Sequence, residues 1–179
     1  MPNRLLRMFK HRQEVPAATS PLLQSANEQM SAGHYAAAAA SFDILAQRNG
    51  PRAPLFIMQA GRGYLFSGNL LEAMTHFKKA LSMLAAEQQF RRLGKIGMHT
   101  VEELKARGHI KEAREINNLV ISNMPALADL PTQLGPDPAR IIAPITCPAC
   151  GGPVRADESE WIDAHTCECP YCGVPLHIS

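Results

Sequence analysis

Gly61-Arg62-Gly63-Tyr64-Leu65-Phe66-Ser67-Gly68-Asn69-Leu70-Leu71-Glu72-Ala73-Met74-Thr75-His76-Phe77-Lys78-Lys79-Ala80 is the stretch from which the rest of the chain can be read. Gly68 followed by Asn69 has the chemistry to end one helix in left-handed backbone and to start the next. Ala73 then falls where two helices approach too closely for a larger side chain. Phe77 and Ala80 follow it four and seven positions later, on the same helical face. The pattern recurs on both sides: Gly33-His34-Tyr35 precedes Ala38, Phe42 and Leu45, and Gly108-His109-Ile110 precedes Ala113. Gly33 and Gly68 stand 35 positions apart, and Gly68 and Gly108 stand 40 apart. A helix pair cannot bury its apolar face alone, so about three such units must stack to be stable.

These signatures resemble the tetratricopeptide repeat, most closely at Gly61-x-x-Tyr64, Gly68, Ala73, Phe77 and Ala80. The first unit has Ala26 and Gln29 where the family has Gly and Tyr, and in the third Asn117 replaces the Phe. The resemblance covers roughly residues 20–125 and implies an all-α helical-repeat domain, an α-solenoid of about three helix pairs. It further implies a groove, lined by the first helix of each pair, that takes a protein or peptide partner. Carried onto this chain, the groove positions are Asn27, Met58, Arg62, Phe66, Lys95, Met98 and Lys105, with Leu23, Met30, Gln59, Leu65, His99 and Glu102 beside them. Arrays that clamp a terminal carboxylate keep a set of Lys, Asn and Arg in this register. Asn27 and Lys95 match that set, whereas Leu23, Gln59 and His99 depart from it. An amphipathic helix or short segment suits the mixture of Met, aromatic and charged residues better. The competing reading is that the chain's own arm or linker fills the groove.

All five cysteines lie between positions 147 and 172, an odd number in one short segment, which argues for metal in a reducing compartment rather than a disulfide framework. Cys147-Pro148-Ala149-Cys150-Gly151 and Cys169-Pro170-Tyr171-Cys172-Gly173 are two copies of one device, with 18 residues between them. Two residues between cysteines let both thiolates address one ion, and the following Gly permits the left-handed turn. Cys147, Cys150, Cys169 and Cys172 are therefore the expected ligands of one structural Zn2+, with iron as the competing ion. The spacing resembles a zinc ribbon over residues 146–179, with strands expected at Trp161–Thr166 and Val174–Ile178. Cys167 reads as a half-buried strand residue, with a ligand exchange against Cys169 as the alternative. Trp161 reads as part of the small module's core.

The remaining segments are a basic arm at 1–19, carrying Arg4, Arg7, Lys10 and Arg12, and a proline-rich linker at 126–145. The arm reads as a tail or docking arm, with an organelle-targeting or lipid-surface helix as the alternative. It lacks the apolar core of a secretory signal, and no run of eighteen apolar residues occurs, so a cytoplasmic protein without a membrane span is expected. No catalytic motif is present, and a four-sulfur site leaves a metal no open position for water, so no enzyme activity is expected. Residues 20–130 hold twelve Lys or Arg against nine acids, whereas the cysteine segment sets Arg155 against Asp157, Glu158, Glu160, Asp163 and Glu168. Phosphate binding needs clustered cations, so nucleic acid is an unlikely partner for this ribbon. The reading is a protein–protein adaptor or scaffold carrying a structural ribbon. Its alternative is an accessory zinc-ribbon protein of transcription or translation.

Overall fold

Six helices follow one another with the turn chemistry read from the glycines. In the computed structural model, which describes residues 20–48, 50–125, 145–155, 159–162 and 165–177, they are α1 (Pro21–Ser31), α2 (Tyr35–Arg48), α3 (Ala53–Phe66), α4 (Leu70–Ala86), α5 (Phe90–Ala106) and α6 (Ile110–Asn123). A 3-10 turn, Gly50–Arg52, leads into α3. Gly33, Gly68 and Gly108 all sit at positive φ, at 81°, 87° and 83°. In each turn the next residue closes the same bond back into the helix: His34 N–H to Gln29 O, Asn69 N–H to Tyr64 O and His109 N–H to Leu104 O, at 2.8–2.9 Å. This is the geometry that satisfies the last carbonyls of a helix. Asn69 also caps α4, its Oδ1 accepting from Glu72 N–H.

Each helix packs on the next in sequence, and α4 also touches α6. Ala38, Ala73 and Ala113, the three small residues of the repeated pattern, are buried, as are Phe42, Phe77, Leu45 and Ala80. In the third unit Ile116 supplies the buried apolar side chain one position before Asn117. Gly61 and Gly63 lie inside α3, where glycine costs roughly 1 kcal/mol relative to alanine. Close packing explains them. A Cβ on Gly61 would stand 2.7 Å from the Phe77 ring, and one on Gly63 would stand 2.8 Å from the Tyr35 carbonyl oxygen. The α3 backbone is thus pressed between α2 and α4. Asp43 of α2 ties the same three helices by accepting from the Tyr64 hydroxyl of α3 and bonding His76 Nε2 of α4, both at 2.9 Å. Burial, and then the hydrogen bond to Asp43, push the Tyr64 phenol up to about 12.

The turn between α4 and α5 has no glycine. Gln88 takes the left-handed conformation there, φ 57°, and Gln89 N–H closes the bond to Leu84 O.

The cysteine segment forms two small antiparallel sheets. β1 (Ile145–Thr146) pairs with β2 (Pro153–Val154), and β3 (Glu160–Trp161), β4 (Thr166–Glu168) and β5 (Pro175–His177) form the second, in that order. Ile145, counted with the linker from sequence, therefore already belongs to a sheet. The strand expected at Trp161–Thr166 is instead two strands. Trp161 faces Cys167 across the ladder, and Ile162 N–H donates to Thr166 O as the chain reverses. Apolar and β-branched residues at both ends of that stretch mimic one strand; only the pairing register reveals the reversal. The arm at 1–19 and residues 126–144 of the linker lie outside the described residues.

Among the described residues two apolar clusters form the core. One joins residues of α3 to α6. The other joins Leu23, Ala26, Ala38, Phe42, Leu45, Phe56 and Ala60 of the first three helices to Cys147, Cys150, Val154, Cys167, Cys169, Tyr171 and Leu176. The small sheets thus share a core with the helices. Among the described residues no helix is long and apolar enough to cross a membrane.

Candidate metal centre and its seat on the helices

The two cysteine turns are built alike. Gly151 N–H donates to Cys147 O and Gly173 N–H to Cys169 O, at 2.8 and 2.9 Å, with both glycines at positive φ. Cys147 N–H reaches Gly152 O, and Cys169 N–H reaches Val174 O, both at 2.9 Å. Each turn therefore presents its two sulfurs on one side, and the two turns face each other. The Sγ atoms of Cys147, Cys150, Cys169 and Cys172 all lie within 4.8 Å of one another. Cys147 to Cys172 measures 3.7 Å and Cys150 to Cys169 measures 3.8 Å.

These separations decide what the cluster can hold. A disulfide needs about 2.05 Å between sulfurs, so none is formed. A tetrahedral ion with metal–sulfur bonds of about 2.3 Å places its sulfurs about 3.8 Å apart, the spacing of the Cys147–Cys172 and Cys150–Cys169 pairs. Cys147, Cys150 and Cys169 are buried and Cys172 is half-buried. As a metal-free set the sulfurs share protons unevenly. Hydrogen bonds from Cys150 and Cys169 hold the Cys172 thiol down to about 2, while hydrogen bonds with Cys150 and Cys172 push Cys169 up. A divalent cation lets all four ionise and replaces that proton sharing with coordination. The donor set fits a closed four-sulfur centre, and four thiolates around a divalent ion carry a net charge of −2.

Cys167 stands outside the cluster. It is fully buried on β4, where burial raises its thiol and a hydrogen bond with Ser159 opposes the rise. Trp161 is half-buried against the apolar cluster that it was expected to help build.

The cysteine module is seated on the first helices of the three pairs. Gln24 Nε2 of α1 donates to Ala149 O at 3.0 Å. Gln59 Nε2 of α3 donates to the Tyr171 hydroxyl at 2.6 Å. His99 Nε2 of α5 accepts from Arg155 Nη2 at 3.1 Å, since a guanidinium can only donate. Gln24, Gln59 and His99 occupy one register position, nine residues before Gly33, Gly68 and Gly108 respectively. One position of the repeated pattern thus meets the small module three times. Asn27 adds a fourth contact, its Nδ2 donating to Cys150 O at 2.7 Å. At the rim Arg52 pairs with Glu168 at 3.1 Å and Arg92 with Glu160 at 3.0 Å, so the acidic segment meets cations of the helices.

The seven positions assigned to a partner groove have different surroundings. Asn27 is buried and engaged with Cys150. Met58 is buried in the helical core, its sulfur accepting from the Thr100 hydroxyl. Arg62 is half-buried in an ion pair with Glu103 at 3.3 Å. Phe66 packs at the glycine-turn end, edge-on to Tyr35 and beneath the Arg107 guanidinium, which lies 4.2 Å from its ring centroid. Lys95, Met98 and Lys105 lie on α5, where Met98 is 49% exposed and Lys105 is exposed beside Glu102. The structure does not gather the seven into a single free surface. Gln24, Tyr171 and Gly152 were missed by sequence reasoning. The shared register of Gln24, Gln59 and His99 was the available signal, whereas nothing local marks Tyr171 or Gly152.

No protein-family model, curated protein or solved structure matches this chain.

Proposed function

We propose that this protein is a non-enzymatic adaptor of the tetratricopeptide kind, whose C-terminal ribbon holds one structural zinc ion. The observation that carries the reading is the closed sulfur cluster. Its spacing suits four metal bonds, it leaves no position for water or substrate, and it is buried against helices. Such a centre supplies shape rather than chemistry, and what a stack of helix pairs then offers is surface. With Asn27 and Gln59 engaged by the ribbon, the partner surface in this reading is the stripe Lys95, Met98, Glu102 and Lys105 on α5. Their spacing of three, four and three places them on one helical face.

Metal analysis and site-directed crosslinking test the two halves separately. The purified chain should carry one zinc. A photoreactive residue at Met98 should capture one protein partner, and Lys105→Glu should reduce that capture. The same residue at exposed Lys79 on α4 is the control. Equal capture at both positions, or capture of nucleic acid, counts against the adaptor reading.

A further inference from the structure

Three of the contacts between helices and ribbon come from inside the cysteine turns themselves. Ala149 lies between the first two cysteines, Cys150 is a ligand, and Tyr171 lies between the last two. Gly152, just beyond the first turn, sits where both turns and α1 meet. A Cβ there would stand 2.7 Å from the Tyr171 ring and 3.3 Å from Asn27 Nδ2. The groups that Gln24, Asn27 and Gln59 address are therefore in place only when both cysteine turns are closed.

We infer that Gln24, Asn27 and Gln59 are positioning residues of the metal centre, so that metal binding and seating of the ribbon on the helices are one coupled equilibrium. This rests on the reading of the four cysteines as a metal site. The coupling has two physical sources. The ribbon is too small to bury a core of its own, and Val154, Tyr171 and Leu176 complete theirs with Leu23 and Ala26. The Asn27 and Gln59 amides, buried by the ribbon, are costly to leave without partners, so helices that have lost closed turns favour their return. Loss of the metal opens the turns, removes the acceptors at Ala149, Cys150 and Tyr171, and releases the ribbon. Leu23, Asn27 and Gln59 are then uncovered on the first helices, so metal occupancy governs access to that face. By reciprocity, the factor by which metal tightens the seat is the factor by which seating tightens metal binding, so variants that weaken the metal-closed seat should weaken metal binding.

The test uses the full chain with zinc alone, its affinity read by competition with a chromophoric chelator. Asn27→Ala combined with Gln59→Ala leaves all four ligands in place and should weaken zinc binding about tenfold or more. Gly97→Ala is the control for general destabilisation. It crowds Val120 in the helical core, away from the ribbon, and should leave zinc affinity within about twofold while helical circular dichroism persists. Hydroxyl-radical footprinting reads the seat: chelation should expose Tyr171 and Leu23 together, with the helices still folded. Unchanged zinc affinity in the double variant, or Tyr171 and Leu23 protected after chelation, overturns the coupling alone. A wild-type chain that takes up no zinc overturns the metal reading itself, and the coupling with it.

Discussion

Gln59 of α3 donates its side-chain amide to the hydroxyl of Tyr171, 112 residues away, at 2.6 Å, and both residues are buried. Tyr171 lies between two cysteines of the four-sulfur cluster, so this bond joins the helical pattern to the cysteine turns directly. It also changes the meaning of Gln59. In the groove register it departs from a carboxylate clamp; in the structure it belongs to a seat for the chain's own ribbon.

Cysteine replacement separates ligand from bystander. Cys150→Ser and Cys169→Ser should lose the metal, measured by elemental analysis, and unfold the ribbon while α1 to α6 keep their helical signal. Cys167→Ser should retain one metal per chain. It should still lower stability by about 1–3 kcal/mol, because it places a hydroxyl in a fully buried site. Metal loss on Cys167→Ser would make it a ligand.

Crowding at the helix crossings is open to measurement by denaturant unfolding. Ala73→Leu should destabilise by about 1–3 kcal/mol through overpacking. Gly61→Ala brings a methyl against the Phe77 ring, and the strain should outweigh the better helix propensity of alanine. A neutral Ala73→Leu would mean that the α4 packing is misassigned.

Backbone strain gives the opposite sign at two turns. Gly68 has open space around a Cβ but φ of +87°, so Gly68→Ala should cost about 1 kcal/mol from conformation alone. Gln88 already bears that strain, and Gln88→Gly should raise stability by up to about 1 kcal/mol. Equal melting temperatures for Gln88→Gly and wild type would contradict the left-handed turn.

The Tyr64 phenol predicts an alkaline weakening of the helical stack. Its folded value, about 12, lies above the ordinary 10.0, so the folded state holds the proton more tightly than the unfolded chain. Below pH 10 the phenol is neutral in both states and its contribution is intact. Between pH 10 and about 12 the unfolded chain ionises first, and stability falls. Tyr64→Phe should flatten that decline in an unfolding series, and an unaltered slope would remove Tyr64 as its cause.

Single- or double-stranded nucleic acid should bind weakly and lose that binding in moderate salt. Arg155, the one cation of the cysteine segment, bonds His99, and Arg52 and Arg92 face ribbon carboxylates. Tight, salt-resistant binding of RNA would revive the nucleic-acid alternative. As for the groove residues, Phe66→Ala removes a ring packed on Tyr35 and Arg107, and Arg62→Ala strands Glu103. Both should therefore lower stability, so their effect on partner capture must be read with that of Met98→Ala and Lys105→Ala, whose side chains are exposed.

Local chemistry made the helices and the cysteine cluster legible in the sequence. A left-handed turn demands glycine, a close crossing demands alanine, and paired thiolates demand two-residue spacing. Those demands act over a few residues, so Gly33, Gly68, Gly108 and the four clustered cysteines could be read without a structure. The break at Gln88 left no such mark, because there the chain tolerates strain instead of using glycine. The excess of acids in the cysteine segment was visible, but its meeting with Arg52 and Arg92 was not. What tertiary structure alone decided is where the ribbon sits. Its place depends on Gln24, Asn27 and Gln59 meeting Ala149, Cys150 and Tyr171 across more than a hundred residues. The shared register of Gln24 and Gln59 marks the helical side of that seat, but nothing local marks which groups of the cysteine turns they meet.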